Sequence, residues 1–289
     1  MKVLTQEITG FVSTNLAQPL AEWVDTTAYS AGQEVVYKNH IYRSIVNDNT
    51  GVIPSLNTGK WLLFGVDNSY ASIDLHSLTA SVIDDGLTYI EFEFASIGFD
   101  TLAFKGLVGL SLDIYEYNSI GTQIALTNKS TVPTETPPAI QTVDLVFDTI
   151  LAETEKIKIR LHKTAGGEAS IDSMVGGKAF DIGATSFGVT GGFVDFSVRK
   201  TDDYGITTIT KRNVQETFKG DLMIDATRTQ TVKRYVRYNC MGTTIMFIAD
   251  ESVDSKYENL LMLGYIADFD IRIDNGVKSF GTIEIEESL

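Results

Sequence analysis

Strict alternation of apolar and polar residues recurs through the middle of this chain and leaves little alternative to β-structure there. In Thr88 to Phe94, residues Ile90, Phe92 and Phe94 share one face while Tyr89, Glu91 and Glu93 share the other, the pattern of a strand with one face buried. Asp84-Asp85-Gly86 precedes it and supplies a turn, because glycine accepts the positive φ that a tight hairpin demands. Leu110, Leu112 and Ile114 alternate with Ser111, Asp113 and Tyr115, and Ile157, Ile159 and Leu161 alternate with Lys156, Lys158 and Arg160. Helical periodicity is almost absent between Tyr70 and Asp181, so these strands have one another as partners, and an antiparallel β-sandwich is predicted over 69–182.

Around that sandwich, 289 residues allow roughly two domains, or three small ones. A hydrophobic fraction of 43% with 5 prolines is globular, not disordered or fibrous. Lys and Arg number 23 against 38 Asp and Glu, a net charge of −15; such a surface repels phosphate and anionic lipid, so neither nucleic acid nor a membrane surface is expected as partner. The single cysteine, Cys240, excludes an intrachain disulfide framework and is expected to be a small buried apolar residue. Thr5, Gln6, Glu7 and Thr9 interrupt any signal-peptide apolar core at the N-terminus. No apolar run reaches the length of about 18 residues that a membrane helix needs.

Beyond the glycine-rich stretch ending at Gly192, Val232, Tyr235, Val236 and Cys240 fall at helical spacing within Arg228 to Cys240, with Asp225 and Thr227 as candidate N-caps. Thr244 to Ala249, Leu260 to Ile266 and the alternating Phe269, Ile271 and Ile273 are strand-like, giving a C-terminal α+β module. Ser130 to Pro138 reads as a long loop between strands. The expected fold is mainly β and multidomain: an N-terminal arm at 1–20, a small aromatic β module at 21–68, the antiparallel sandwich at 69–182 and the α+β module at 183–289.

The aromatic module holds both tryptophans of the chain, Trp23 and Trp61, together with Tyr29, Tyr37 and Tyr42. A segment this short buries itself with a few large rings instead of a broad aliphatic core. Val35 to Tyr42 is predicted to be a hairpin with Asn39-His40 at its turn. Trp23, then Tyr29 to Val35, then Tyr37 to Ser44, then Pro54-Ser55 and Lys60-Trp61 together resemble the carbohydrate-binding modules of families 5 and 12 found on chitinases and cellulases. The resemblance implies that Trp23, Tyr37, Tyr42 and Trp61 are the carbohydrate-binding candidates, or else that Trp23, Tyr37 and Trp61 are the module's core. The exposed aromatic pair those modules carry after the hairpin is replaced here by Ile45-Val46-Asn47-Asp48-Asn49, which implies a retained fold with reduced or lost glycan binding.

A second resemblance covers Ser173 to Gly177, Phe180 to Gly183, Asp195 to Gly205, Thr208 to Arg212 and Ile283 to Glu286. This C-terminal region is similar to the ends of certain tailed-bacteriophage and prophage tail proteins. It implies a structural component of a phage tail, at the tip, baseplate or fibre, made in the host cytoplasm and located in the virion. Implied partners are other tail proteins, further copies of the chain in a trimer or hexamer, and a host-surface polysaccharide. Arg199-Lys200, Lys211-Arg212 and Lys233-Arg234 concentrate positive charge in an acidic chain and suit docking to an acidic neighbour, although ordinary solvated charge reads the same way. The alternative reading is a soluble glycan-binding accessory protein that recognises chitin-like or cell-surface polysaccharide.

Catalytic motifs are missing from the sequence. His40, His76 and His162 show no metal-ligand spacing, and there is no nucleophile elbow, phosphate loop or dinucleotide fingerprint. Asp268-Phe269-Asp270 places two carboxylates on one strand face, the pattern of a polar outer face. No enzyme activity, metal or cofactor is expected.

Overall fold

The computed structural model describes residues 1–131, 143–185, 189–201, 203–249, 261–273 and 276–289. The chain is mainly β, with three sheets stacked face to face, a helix on the outermost of them, and a small three-stranded sheet with its own core.

The predicted sandwich is present. Its five-stranded sheet runs Gln123–Ser130, Ser111–Tyr117, Lys156–His162, Tyr89–Ala95, Ser13–Thr14, antiparallel throughout. Ile90, Phe92 and Phe94 lie opposite Leu161, Ile159 and Ile157, so the alternation read from the sequence aligns the apolar residues of neighbouring strands on one face. The facing sheet runs Val143–Phe147, Thr101–Val108, Ser170–Gly177, Ser81–Val82, and its Leu102, Phe104, Leu107, Ile171 and Met174 close the core. The loop predicted at Ser130 to Pro138 lies, from residue 132 on, outside the described residues.

The third sheet has eight strands and draws on both ends of the chain. Its order is Ala179–Asp181, Lys2–Leu4, Ile245–Ile248, Leu261–Ile273, Lys278–Glu287, Val214–Asp225, with Ala184–Thr185 and Thr190–Asp195 both pairing along Val214–Asp225. The first twenty residues are therefore not a free arm: Lys2–Leu4 sits between two strands of this sheet and Ser13–Thr14 edges the sandwich. Ile245-Met246-Phe247-Ile248 is an unbroken apolar run because both faces of its strand are covered. Ile245 and Phe247, with Val3, face the helix side, where Val232, Val236 and Cys240 pack. Met246 and Ile248, with Leu4, face Ala103 and Val175 of the sandwich.

The helix spans Thr229–Tyr235 and continues as one wider turn over Val236–Cys240. Arg228 occupies the N-cap without a side-chain cap; the two residues expected to cap bond each other instead, the Thr227 backbone N–H and hydroxyl donating to Asp225 Oδ1. Leu261–Ile273 is one strand bent by a bulge between Ile266 and Asp268, where the sequence suggested two pieces; Leu260 lies outside the described residues. Cys240 is buried, and burial pushes its thiol up to about 12, so it stays protonated and unreactive in the folded chain.

Gly176-Gly177 explains how the N-terminal segment crosses the sandwich. A Cβ on Gly176 would lie 2.6 Å from Leu102 Cδ2, and one on Gly177 would lie 2.7 Å from the Thr5 carbonyl oxygen. Without side chains there, Glu7 N–H donates to Gly176 O at 2.8 Å and Gln6 Nε2 donates to Met174 O at 2.8 Å. A polar joint completes the contact between sandwich and eight-stranded sheet: Lys105 Nζ reaches Glu287 at 3.2 Å and Glu216 at 3.5 Å.

Beside that joint, Gly106 has φ +68°, and any Cβ would meet Asp172 Oδ2 at 1.9 Å. The Gly106 N–H donates to Asp144 Oδ1 at 2.8 Å. Two carboxylates thus crowd one bend of the strand. Burial, then the charge of Asp144, pushes Asp172 from 3.8 up to about 6, with Lys105 opposing. The folded chain therefore holds this proton more tightly than the unfolded one, and the stability linked to it is lost as pH rises through about 6. Asp172→Asn is expected to raise stability at neutral pH by about 1 kcal/mol after allowance for solvent screening, a gain that shrinks as pH falls. Urea denaturation across that range checks it; a destabilised variant at neutral pH would instead show that the Lys105 attraction outweighs the crowding.

Candidate functional site

The aromatic module folds as strands Glu34–Tyr37, His40–Ser44 and Trp61–Val66. The turn joining the first two is centred on Lys38 and Asn39, with φ of 50° and 68°, the left-handed pair that a two-residue hairpin requires. It lies one position before the predicted Asn39-His40; His40 opens the second strand opposite Tyr37, and its Nδ1 lies 2.8 Å from the Lys38 carbonyl oxygen.

The four aromatic candidates separate. Trp61 is 1% exposed, packs edge-on against Tyr29 at 5.3 Å and donates its indole N–H to Val52 O at 2.8 Å. With Tyr29 and Val35 it forms the module's core, which leaves it no ring face to offer a sugar. Trp23, Tyr37 and Tyr42 are half-buried and form a row, Trp23 to Tyr37 at 5.5 Å and 82°, Tyr37 to Tyr42 at 6.4 Å and 65°. Burial, reinforced by Tyr37, raises the Tyr42 phenol above its ordinary value. Stacking on a pyranose needs a flat exposed face, and rings tilted this far do not share one plane. Trp23 alone borders an open groove, of ≈ 530 Å³, with Val24, Asp25, Gly51 and Ile53. Sequence reading passed over Leu62, Leu63 and Phe64, a run that resembles a buried strand yet is exposed; the Arg43 guanidinium, paired with Glu34, lies 3.9 Å from the Phe64 ring.

A second feature lies at the margin of the eight-stranded sheet. Thr190–Asp195 and Val214–Asp225 form a ribbon that continues past the sheet as the hairpin Val198–Thr201 and Thr207–Thr210, with no third strand beside it among the described residues. Phe193 is 74% exposed and Ile209 61%, and Phe196, Val194 and Val214 are exposed as well. Arg199, Lys200, Lys211 and Arg212 all fall on this ribbon and are exposed, Arg199 lying 3.8 Å from Asp195. Most of the residues carrying the tail-protein resemblance between Asp195 and Arg212 are here; Asp202 is outside the described residues. Lys233 and Arg234 stand apart, exposed in the last turn of the helix.

One face of the five-stranded sheet is also charged, and its charges are internally paired. Arg160 bonds Glu91 and lies 4.9 Å and 5.3 Å from the Tyr89 and Tyr115 rings, Lys156 and Lys158 reach Glu93 at 3.0 Å and 3.2 Å, and His162 Nε2 lies 2.9 Å from Asp113. Asp268 and Asp270 project from the outer face of their strand while Phe269 packs toward the helix core, as alternation requires. Among the described residues no group of three or more His, Cys, Asp or Glu is placed to hold a metal ion, and no helix is long and apolar enough to cross a membrane.

No protein-family model matches this chain, and no curated protein does. Among solved structures it is similar to one described as "Tail of empty GTA particle computed with helical refinement, C6 symmetry", at 10% identity over 39% of this chain and 84% of that one, with a TM-score of 0.29.

Proposed function

We propose that this chain is a structural component of a bacteriophage tail that works by association between subunits, without turnover. The observation that carries the reading is the basic ribbon at the sheet margin, with Phe193, Phe196 and Ile209 left exposed by the chain itself. A two-stranded hairpin is marginal in water unless something packs on it, and apolar residues gathered at an exposed site mark an interaction surface. The resemblance of these same segments to tail proteins supports the setting. Stacked sheets joined by the cluster of Leu4, Ala103, Val175, Met246 and Ile248 supply a stiff body behind that ribbon. Within this reading the aromatic module keeps the fold of a carbohydrate-binding module, and host-surface attachment through it is a separate property.

The purified full chain is expected to form symmetric oligomers, visible as rings or stacked particles by negative-stain electron microscopy and as a multiple of 31.7 kDa by light scattering. A chain that stays monomeric at high concentration and binds a glycan array, with binding lost in Trp23→Ala at unchanged fold, would overturn this in favour of a glycan-binding accessory protein.

A further inference from the structure

We infer that the basic hairpin Val198–Thr210 of one copy docks, in a second copy, on the exposed acidic part of the eight-stranded sheet's face opposite the helix. The inference rests on the assembly role proposed above and identifies the two surfaces that meet.

The chain's own sheet does not receive the hairpin. Asp195 pairs with Val214 and Val198 with Thr210, so hairpin and ribbon are continuous. Lys278–Glu287, the strand on the other side of Val214–Asp225, begins its pairing with Val214–Asp225 only at Thr217, opposite Glu286. Gln215 and Glu216 still bond Glu287; the ribbon beyond them projects past the sheet margin, where the exposure of Phe193, Phe196 and Ile209 shows that it is uncovered.

The acidic counterpart is set by strand register. Lys219, Glu284 and Asp268 stand abreast on three neighbouring strands, as do Asp221, Thr282 and Asp270, and Glu286 stands beside Tyr265. Directly paired residues share a face, so Asp221, Asp268, Asp270, Glu284 and Glu286 lie with Lys219 on the face opposite the helix, which is the face that Leu4, Met246 and Leu263 turn toward the sandwich. Arg272, Lys278 and Asp225 continue it along the same strands. The opposite face, carrying Phe218, Leu222, Ile283 and Ile285, is already buried against the helix. Asp221, Asp268 and Asp270 are exposed. Six carboxylates against Lys219, Lys278 and Arg272, with Lys219 and Glu284 paired at 3.0 Å, leave the face net negative.

Residues 196–213 carry four cations against two acids in a chain of net charge −15, so the hairpin's field is opposite in sign to that of the patch. Complementary fields of this kind steer encounter and fix register. Two different patches meet in such a contact, which makes it head-to-tail, and repetition closes a ring or builds a helical stack.

The test is sedimentation of the full chain at low and high salt, in the wild type, in a hairpin reversal (Arg199→Glu, Lys200→Glu, Lys211→Glu, Arg212→Glu) and in a face reversal (Asp221→Lys, Asp268→Lys, Asp270→Lys). Fold is monitored by circular dichroism and by the protected Cys240 thiol. Wild-type association is expected to weaken with salt, each reversal alone to weaken it at least about tenfold, and an equimolar mixture of the two reversed chains to recover association by pairing acidic hairpin with basic face. Folded variants that associate as the wild type does would overturn this docking while leaving the assembly role standing. A wild-type chain that never associates would overturn both.

Discussion

Val3→Asp is expected to destabilise the folded chain by about 4 kcal/mol or more, lowering Tm by roughly 10 °C. Val3 is fully buried between Phe180 and Phe247 on the flanking strands and packs in the helix-side core. A carboxylate there loses the apolar contact and sits where no cation faces it on the adjoining strands. The neighbouring Lys2 gives the contrast: its ion pair with Asp148 spans 3.8 Å with both side chains partly exposed, and Lys2→Ala is expected to cost less than about 1 kcal/mol. Thermal unfolding followed by circular dichroism separates the two. Equal and small losses would show that the first strand is dispensable to the sheet.

Trp61→Ala carries the second large effect, about 3–5 kcal/mol. A core of Tyr29, Val35 and Trp61, with Trp23, Tyr42 and Val52 against it, loses its largest member and the hydrogen bond to Val52. The strands Glu34–Tyr37 and His40–Ser44 are expected to lose hydrogen-exchange protection while Ile157–Leu161 in the sandwich keeps it. The one tryptophan left, Trp23, reports the same event as a red shift in emission. A variant that kept full protection at 34–44 would remove Trp61 from the core and restore it as a ligand-binding candidate.

The sandwich was readable from sequence because alternation is a local property: Ile90, Phe92 and Phe94 announce their buried face within seven residues. The helix was readable for the same reason, through Val232, Val236 and Cys240. Strand Lys2–Leu4 was not, since three residues hold no period and its partners are residues 179–181 and 246–248. The apolar run at Ile245–Ile248 was legible as a strand, but that the helix covers one face and the sandwich the other was not. At the aromatic module, residue type and order pointed to Trp23, Tyr37, Tyr42 and Trp61, but ring tilt and the burial of Trp61 arise from packing that no spacing encodes. Leu62 to Phe64 drew no sequence expectation: the run has the composition of core, and the solvent face it occupies is a tertiary outcome. Basic pairs at Arg199-Lys200 and Lys211-Arg212 were visible as charge, whereas their meeting on one ribbon depends on the pairing of Arg199 with Ile209.

The seating of Lys2–Leu4 between Ala179–Asp181 and Ile245–Ile248 also orders events in time. Lys2–Leu4 is synthesised long before Ile245–Ile248, the strand that covers one of its edges. Its other edge can pair once Ala179–Asp181 is made, but this edge waits until synthesis has passed Ile248, and contacts so distant along the chain slow the final closure.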